Sequence, residues 1–243
     1  MQHAIEGAAS QGADVQIRHL ADLAVPPSDG HWNRTDPDPA DDVAGLQSDI
    51  EQCSALIVGA PVYFLDVNGL TKDFMDQMRP TEALNGKRAL GITIAGGSGK
   101  GLILALKTIY HFFFCLHMRG LTPTPVSRFS FDAGMRMAHR NGAALVKPPI
   151  EAIPFHNLTE RISWINQLPF MNADIIDENF YLAKAVVDSC RKTERNAQLL
   201  TEARSELVRA AQLVEHGQKQ DALEHIMKAY ESGTEAWTIG RES

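Results

Sequence analysis

Apolar residues fall in blocks along the chain. Residues 55–60, Ala-Leu-Ile-Val-Gly-Ala, run without polar alternation. Such a run predicts a strand buried on both faces, as in a parallel sheet. Pro61 has no N–H and is expected to end ladder pairing. Residues 62–68 read as a loop. Residues 69–78 read as a helix, with Leu70, Phe74 and Gln77/Met78 on one face and Lys72, Asp73 and Asp76 off it. Strand, loop and helix make half of a βαβ unit, and in open α/β sheets ligands bind at that carboxyl edge.

Residues 87–95 form a second buried strand. It runs into Gly96-Gly97-Ser98-Gly99-Lys100-Gly101 and then a helix over 102–118. A glycine cluster between strand and helix offers backbone N–H groups to an anion or to the edge of a ring. The Walker pattern fails here, because Lys100 is followed by Gly101 and position 94 is Ile. The helix carries Tyr110, Phe112, Phe113, Phe114 and Leu116 nearly all round, so core or a second copy must cover it. Residues 121–131 return as a last strand, which Pro123 and Pro125 consign to an edge.

Upstream, residues 1–10 read as a helix and 14–18 alternate like a strand. Residues 20–42 are a proline-rich, aspartate-rich loop containing Trp32, and 43–52 a short helix. Downstream, 132–168 read as loop-rich, with a short helix at the end. Helices follow over 174–190, 193–216 and 221–230, the last two resembling a docking hairpin with a solvated charged face.

Composition narrows the function. A chain of 243 residues with 44% apolar residues is globular, and its net charge of −7 argues against a nucleic-acid surface. Cys53, Cys115 and Cys190 are dispersed, which suits a reducing, cytoplasmic setting. Cys115-x-His117 lacks the second half of a zinc site, so no metal is expected. The N-terminus has no leader-like apolar run, and the most apolar segment, 102–118, carries Lys107, His111 and His117; no membrane partner is expected. Asn157-Leu158-Thr159 is discounted as a glycosylation signal. No Ser/His/Asp or Cys/His set has motif context, and His111, His117, His139 and His156 read as structural, so no catalytic side chain is assigned.

Pro61-Val62-Tyr63-Phe64, followed by Asn68-Gly69-Leu70-Thr71-Lys72 and Phe74-Met75-Asp76, resembles the second flavin-binding loop of the NADPH-dependent FMN reductase family. Thr71 between Leu70 and Lys72 departs from the family's Leu-Lys pair. The resemblance covers roughly the first 130 residues. It implies an α/β, flavodoxin-like three-layer parallel sheet over 1–132, with 133–243 as a loop-rich segment and helical extension. The family's first strand and phosphate-cradling loop precede the stretch that matches, so the sheet is expected to lack that central strand. Iron–sulfur relatives cluster cysteines in the loop corresponding to 20–42; none is present, so no cluster is expected.

By the same resemblance FMN and NAD(P)H are the cofactors, and Pro61, Val62, Tyr63, Phe64, Gly96, Gly97, Ser98 and Gly99 bind the flavin. Amides near Val62, Tyr63 and Gly97 would meet the ring's polar edge, and Tyr63 or Phe64 would pack against it. Lys72 and Lys100 are candidates for cofactor phosphates, and Trp32 for a cover over the flavin. The implied activity is NAD(P)H-driven two-electron reduction of a small acceptor such as a quinone or free flavin, by a homodimer or higher homo-oligomer. The rival reading is a non-catalytic flavodoxin-like module acting on protein partners through its C-terminal helices.

Overall fold

The computed structural model describes residues 1–30, 41–148 and 151–241. At its centre β1 (Ala55–Tyr63) runs parallel to β3 (Arg88–Ala95), in register from Ala55↔Arg88 to Pro61↔Ile94. β2 (Asp66–Val67) folds back antiparallel onto the end of β1. On the other side, β4 (Arg119–Gly120) meets the start of β3 and β5 (Thr124–Ser127) meets its end, both parallel.

The unbroken apolar runs are explained by burial on two faces. Leu56, Val58, Ala60 and Ala89 join one core with residues of α2 (Val43–Gln52), α3 (Gly69–Gln77) and α4 (Leu102–Cys115). Ala55, Ile57, Leu90 and Ile92 face the other way, toward α1 (Gln2–Ala9) and α5 (Phe131–Leu145). The result is an α/β, three-layer arrangement around a mostly parallel sheet. Leu106, Ile109 and Phe113 of α4 are fully buried, and each contributes about 1.5–3 kcal/mol of apolar transfer.

Several expectations are corrected. Pro61 lies inside β1, which continues to Tyr63. Among the described residues no parallel strand pairs with the outer side of β1, and an edge is where a missing N–H costs least. Residues 14–18 alternate but form no strand. Residues 62–68 are a tight hairpin rather than an open loop. On α3 the buried face is Thr71, Phe74 and Met75, with Leu70 exposed. The last strand shrinks to β5, and α5 occupies a stretch read as loop. Its buried face is Gly134, Ala138, Gly142 and Leu145, mostly small residues that carry little hydrophobic signal.

The extension is helical as expected: α6 (Leu158–Asn166), α7 (Ile175–Ser189), α8 (Ala197–Glu215) and α9 (Lys219–Arg241). Asp174 caps α7 through a reciprocal box with Asp177. α9 continues well past Tyr230, because Gly233 lets it pack on Val186 and Val187 of α7. Buried Asn196 ties the α7–α8 connection to α9, donating to the Arg191 and Ala236 carbonyls at 2.9 and 2.8 Å. At the base of the sheet, Arg119 is held by the Ile153 carbonyl and by Glu160, its guanidinium lying 3.9 Å from the centre of the Phe155 ring. The helical hairpin docks on its own chain: Phe129, at the end of β5, shares a core with Leu182, Val186 and Trp237.

Candidate functional site

The carboxyl edge of the sheet gathers the predicted residues. Pro61 and Ile94 are register partners, so the two loops leave neighbouring strands side by side. They also touch. A β-carbon on Gly101 would lie 2.5 Å from the Leu65 Cα and 2.7 Å from a Val62 methyl carbon. Gly101 has φ +95°, which adds backbone strain to the clash for any other residue.

The first loop turns on Phe64 and Leu65, at φ 49° and 69°. Positive φ at both central residues is the two-residue hairpin geometry that Asn-Gly normally supplies. Here bulky side chains occupy it, at a cost of about 1–2 kcal/mol each. The turn lifts Phe64 fully into solvent and leaves Tyr63 61% and Ile94 44% exposed. Pro61 is exposed and Val62 half-buried. An apolar surface therefore faces outward where the strands end.

In the second loop, Gly99 donates to the Gly96 carbonyl at 2.6 Å, closing a turn. Gly96, Gly97 and Ser98 are exposed, while Gly99 is buried against Phe129 and Leu182. Nothing lies within 4 Å of a β-carbon built on Gly96 or Gly97. Among the described residues no acceptor meets the Gly97 and Ser98 amides.

Three residues beyond the motifs support this loop. Arg128 donates to the Gly97 carbonyl at 2.7 Å and stacks over Phe129 and Trp237. The Tyr230 hydroxyl donates to the Ser98 carbonyl at 3.0 Å. Glu178, fully buried on α7, accepts from four successive amides of the α4 N-terminus: Gly101 at 2.6 Å, Leu102 at 3.0 Å, Ile103 at 2.8 Å and Leu104 at 3.3 Å. Burial pushes its carboxyl up from the ordinary value, and the four amides pull it back down. Nothing in a local sequence window marks Glu178, because its partners lie more than 70 residues upstream.

Of the remaining candidates, only Lys100 belongs to this cluster. Lys72 pairs with Asp76 along its own helix, while Lys100 sits 5.5 Å over the Tyr230 ring beside the second loop. Burial lowers the pKa of His111 and His117, and neither ring has a hydrogen-bond partner among the described residues. Trp32 lies outside the described residues.

The edge fits a flat, partly polar ring: an apolar wall at Tyr63, Phe64 and Ile94, an open glycine cradle and free amides beside it. It does not offer the α4 N-terminus to a phosphate, because Glu178 fills it.

An iron–sulfur flavoprotein of Methanocaldococcus jannaschii is 31% identical over 100 residues, covering 39% of this chain and 48% of that protein. The chain thus spans about half the length of the curated relative it matches. Among solved structures, the apo form of an NADH:FMN oxidoreductase (EMOB) is 19% identical, covers 65% of this chain and 88% of that one, and superposes with a TM-score of 0.46. An oxidoreductase from Corynebacterium diphtheriae is also 19% identical, covers 60% and 83%, and gives 0.45. A family model described as NADPH-dependent FMN reductase matches residues 1–128, more than half of the 243. The chain belongs to the NADPH-dependent FMN reductase family.

Proposed function

We propose that the chain is a flavin-dependent oxidoreductase using FMN and NAD(P)H, reducing a small acceptor such as a quinone or free flavin by two-electron transfer. The observation that carries this reading is the contact of Gly101 with Val62 and Leu65, which joins both motif loops into one exposed edge. Bound flavin supplies the hydride and electron transfer itself. The chain's residues bind and orient it. Tyr63 and Phe64 cover a ring face, and Pro61 and Val62 set where that face lies. Amides of Gly97 and Ser98 donate to its polar edge, while Gly96 and Gly99 keep the loop flat enough for close approach. No catalytic side chain is required of the protein.

The same reading divides the chain near residue 132 into a flavin-binding part and a helical extension. It also places the protein in the cytoplasm, supported by three unpaired cysteines, and as a homo-oligomer, supported by the exposed Tyr63, Phe64 and Leu70. Among the described residues no helix is long and apolar enough to cross a membrane.

Titration of the purified chain with FMN, followed by flavin fluorescence and visible absorbance, tests the proposal. Saturable binding, weakened by Tyr63→Ala or Gly97→Asp, is the expected result. A folded chain that binds no FMN overturns it and favours a non-catalytic module acting through protein partners.

A further inference from the structure

We propose that Glu178 is a positioning residue for the flavin edge: from the helical extension, its carboxylate fills the N-terminus of α4 and so fixes the glycine loop. The inference rests on the flavin reading above and goes beyond it, because residue 178 lies outside the stretch that matches the family, 1–128.

A helix leaves its first amides without internal partners, and side chains, water or ligands must satisfy them. On α4 those amides are enclosed. Gly101 is buried, Leu102 and Ile103 fully so, and Leu104 is half-buried. Among the described residues Glu178 alone provides side-chain acceptors for these amides, each carboxylate oxygen taking two. Among the described residues no cation pairs with Glu178, so the amides and the positive end of the helix are its counter-charge.

Gly101 is also where the glycine loop ends and where it contacts Val62 and Leu65 of the hairpin. Holding the Gly101 amide therefore sets both loops at once. Leu182, one turn on from Glu178 along α7, supports the same loop by packing under Gly99. Thr93 makes a second tie, its hydroxyl donating to the Leu102 carbonyl at 3.0 Å. The extension thus forms the floor of the loop that meets the flavin.

The test compares the full-length chain with Glu178→Gln and Glu178→Ala. Two measurements are made: amide hydrogen exchange over 96–104, and FMN titration. Glutamine keeps the volume but offers one acceptor oxygen, and its NH2 group faces the other amides. Loss of exchange protection with FMN binding weakened about tenfold is expected for both variants. Glu178→Ala leaves a small cavity lined by amides. Added formate is expected to restore binding in that variant and not in Glu178→Gln, a pattern that a merely space-filling role does not produce. Thermal melts confirm that Glu178→Gln is folded. Unchanged protection and unchanged FMN affinity in a folded Glu178→Gln overturn the proposal. If protection falls in Glu178→Gln while the wild-type chain binds no FMN, the flavin reading fails and the loop-fixing role stands.

Discussion

Gly142 on α5 lies against Ala4 on α1 so closely that a β-carbon on Gly142 would sit 1.9 Å from the Ala4 carbonyl oxygen. Gly7 makes the reciprocal approach: a β-carbon there would sit 2.0 Å from the His139 carbonyl oxygen. The two helices therefore meet backbone to backbone, and neither obstacle is a side chain that can turn aside. Gly142→Ala is expected to push α1 off the sheet and cost about 3 kcal/mol, a large overpacking penalty. Urea denaturation of the variant checks this; a midpoint equal to that of wild type refutes the close approach.

The Phe64–Leu65 turn stores backbone strain and exposes an aromatic ring. Replacing the pair by Asn-Gly supplies residues suited to positive φ at both positions. Stability is expected to rise by about 1 kcal/mol, the strain relieved less the entropy that glycine adds to the unfolded chain. FMN affinity is expected to fall in the same variant, because the ring is gone. Thermal melts and flavin titration read the two effects separately.

Tyr110 bridges two elements in the core. Its hydroxyl accepts from the Gly91 amide at 3.3 Å and donates to the Leu121 carbonyl. Burial pushes the phenol well above its usual pKa, so it stays protonated. Tyr110→Phe keeps the ring and orphans a strand amide and a carbonyl. A loss of about 2 kcal/mol is expected in denaturant unfolding, with little change in FMN binding.

The acid limb of stability is expected to depend on Glu160. The His156 amide and the Arg119 guanidinium hold its carboxyl below the usual 4.5. An acid with a depressed native pKa contributes stability above its unfolded value, and loses it as pH falls through the native one. The contribution is therefore complete above about pH 4.5 and fades below it. Glu160→Gln is expected to flatten that part of the profile. Denaturation midpoints taken from about pH 6 to about pH 3 give the comparison.

What the sequence revealed depended on how far each signal reached. The apolar runs at 55–60 and 87–95 mark β1 and β3 because burial on two faces leaves no polar alternation, though β1 itself runs on to Tyr63. The motifs lie at the carboxyl ends of these strands, Pro61, Val62 and Tyr63 within the end of β1 and Gly96 to Gly99 just after β3. α5 was missed because its buried face is built from Gly134, Ala138 and Gly142, which look like loop residues until α1 is beside them. The end of α9 was misjudged for a similar reason at Gly233. The hairpin at Phe64 lacks the residues that usually announce one. Nothing in its own helix sets Glu178 apart in the sequence, and only the fold brings α4 to it.

The open side of β1 bears on how the protein behaves in the test tube. Along residues 55–61 no described residue makes a backbone hydrogen bond to the flank away from β3. A bare strand flank is a template on which another chain can grow. The net charge of −7 keeps copies apart through long-range repulsion. Salt shortens that repulsion to about 10 Å at 0.1 M. Concentrated stocks will therefore keep best in dilute buffer, and turbidity will climb with ionic strength.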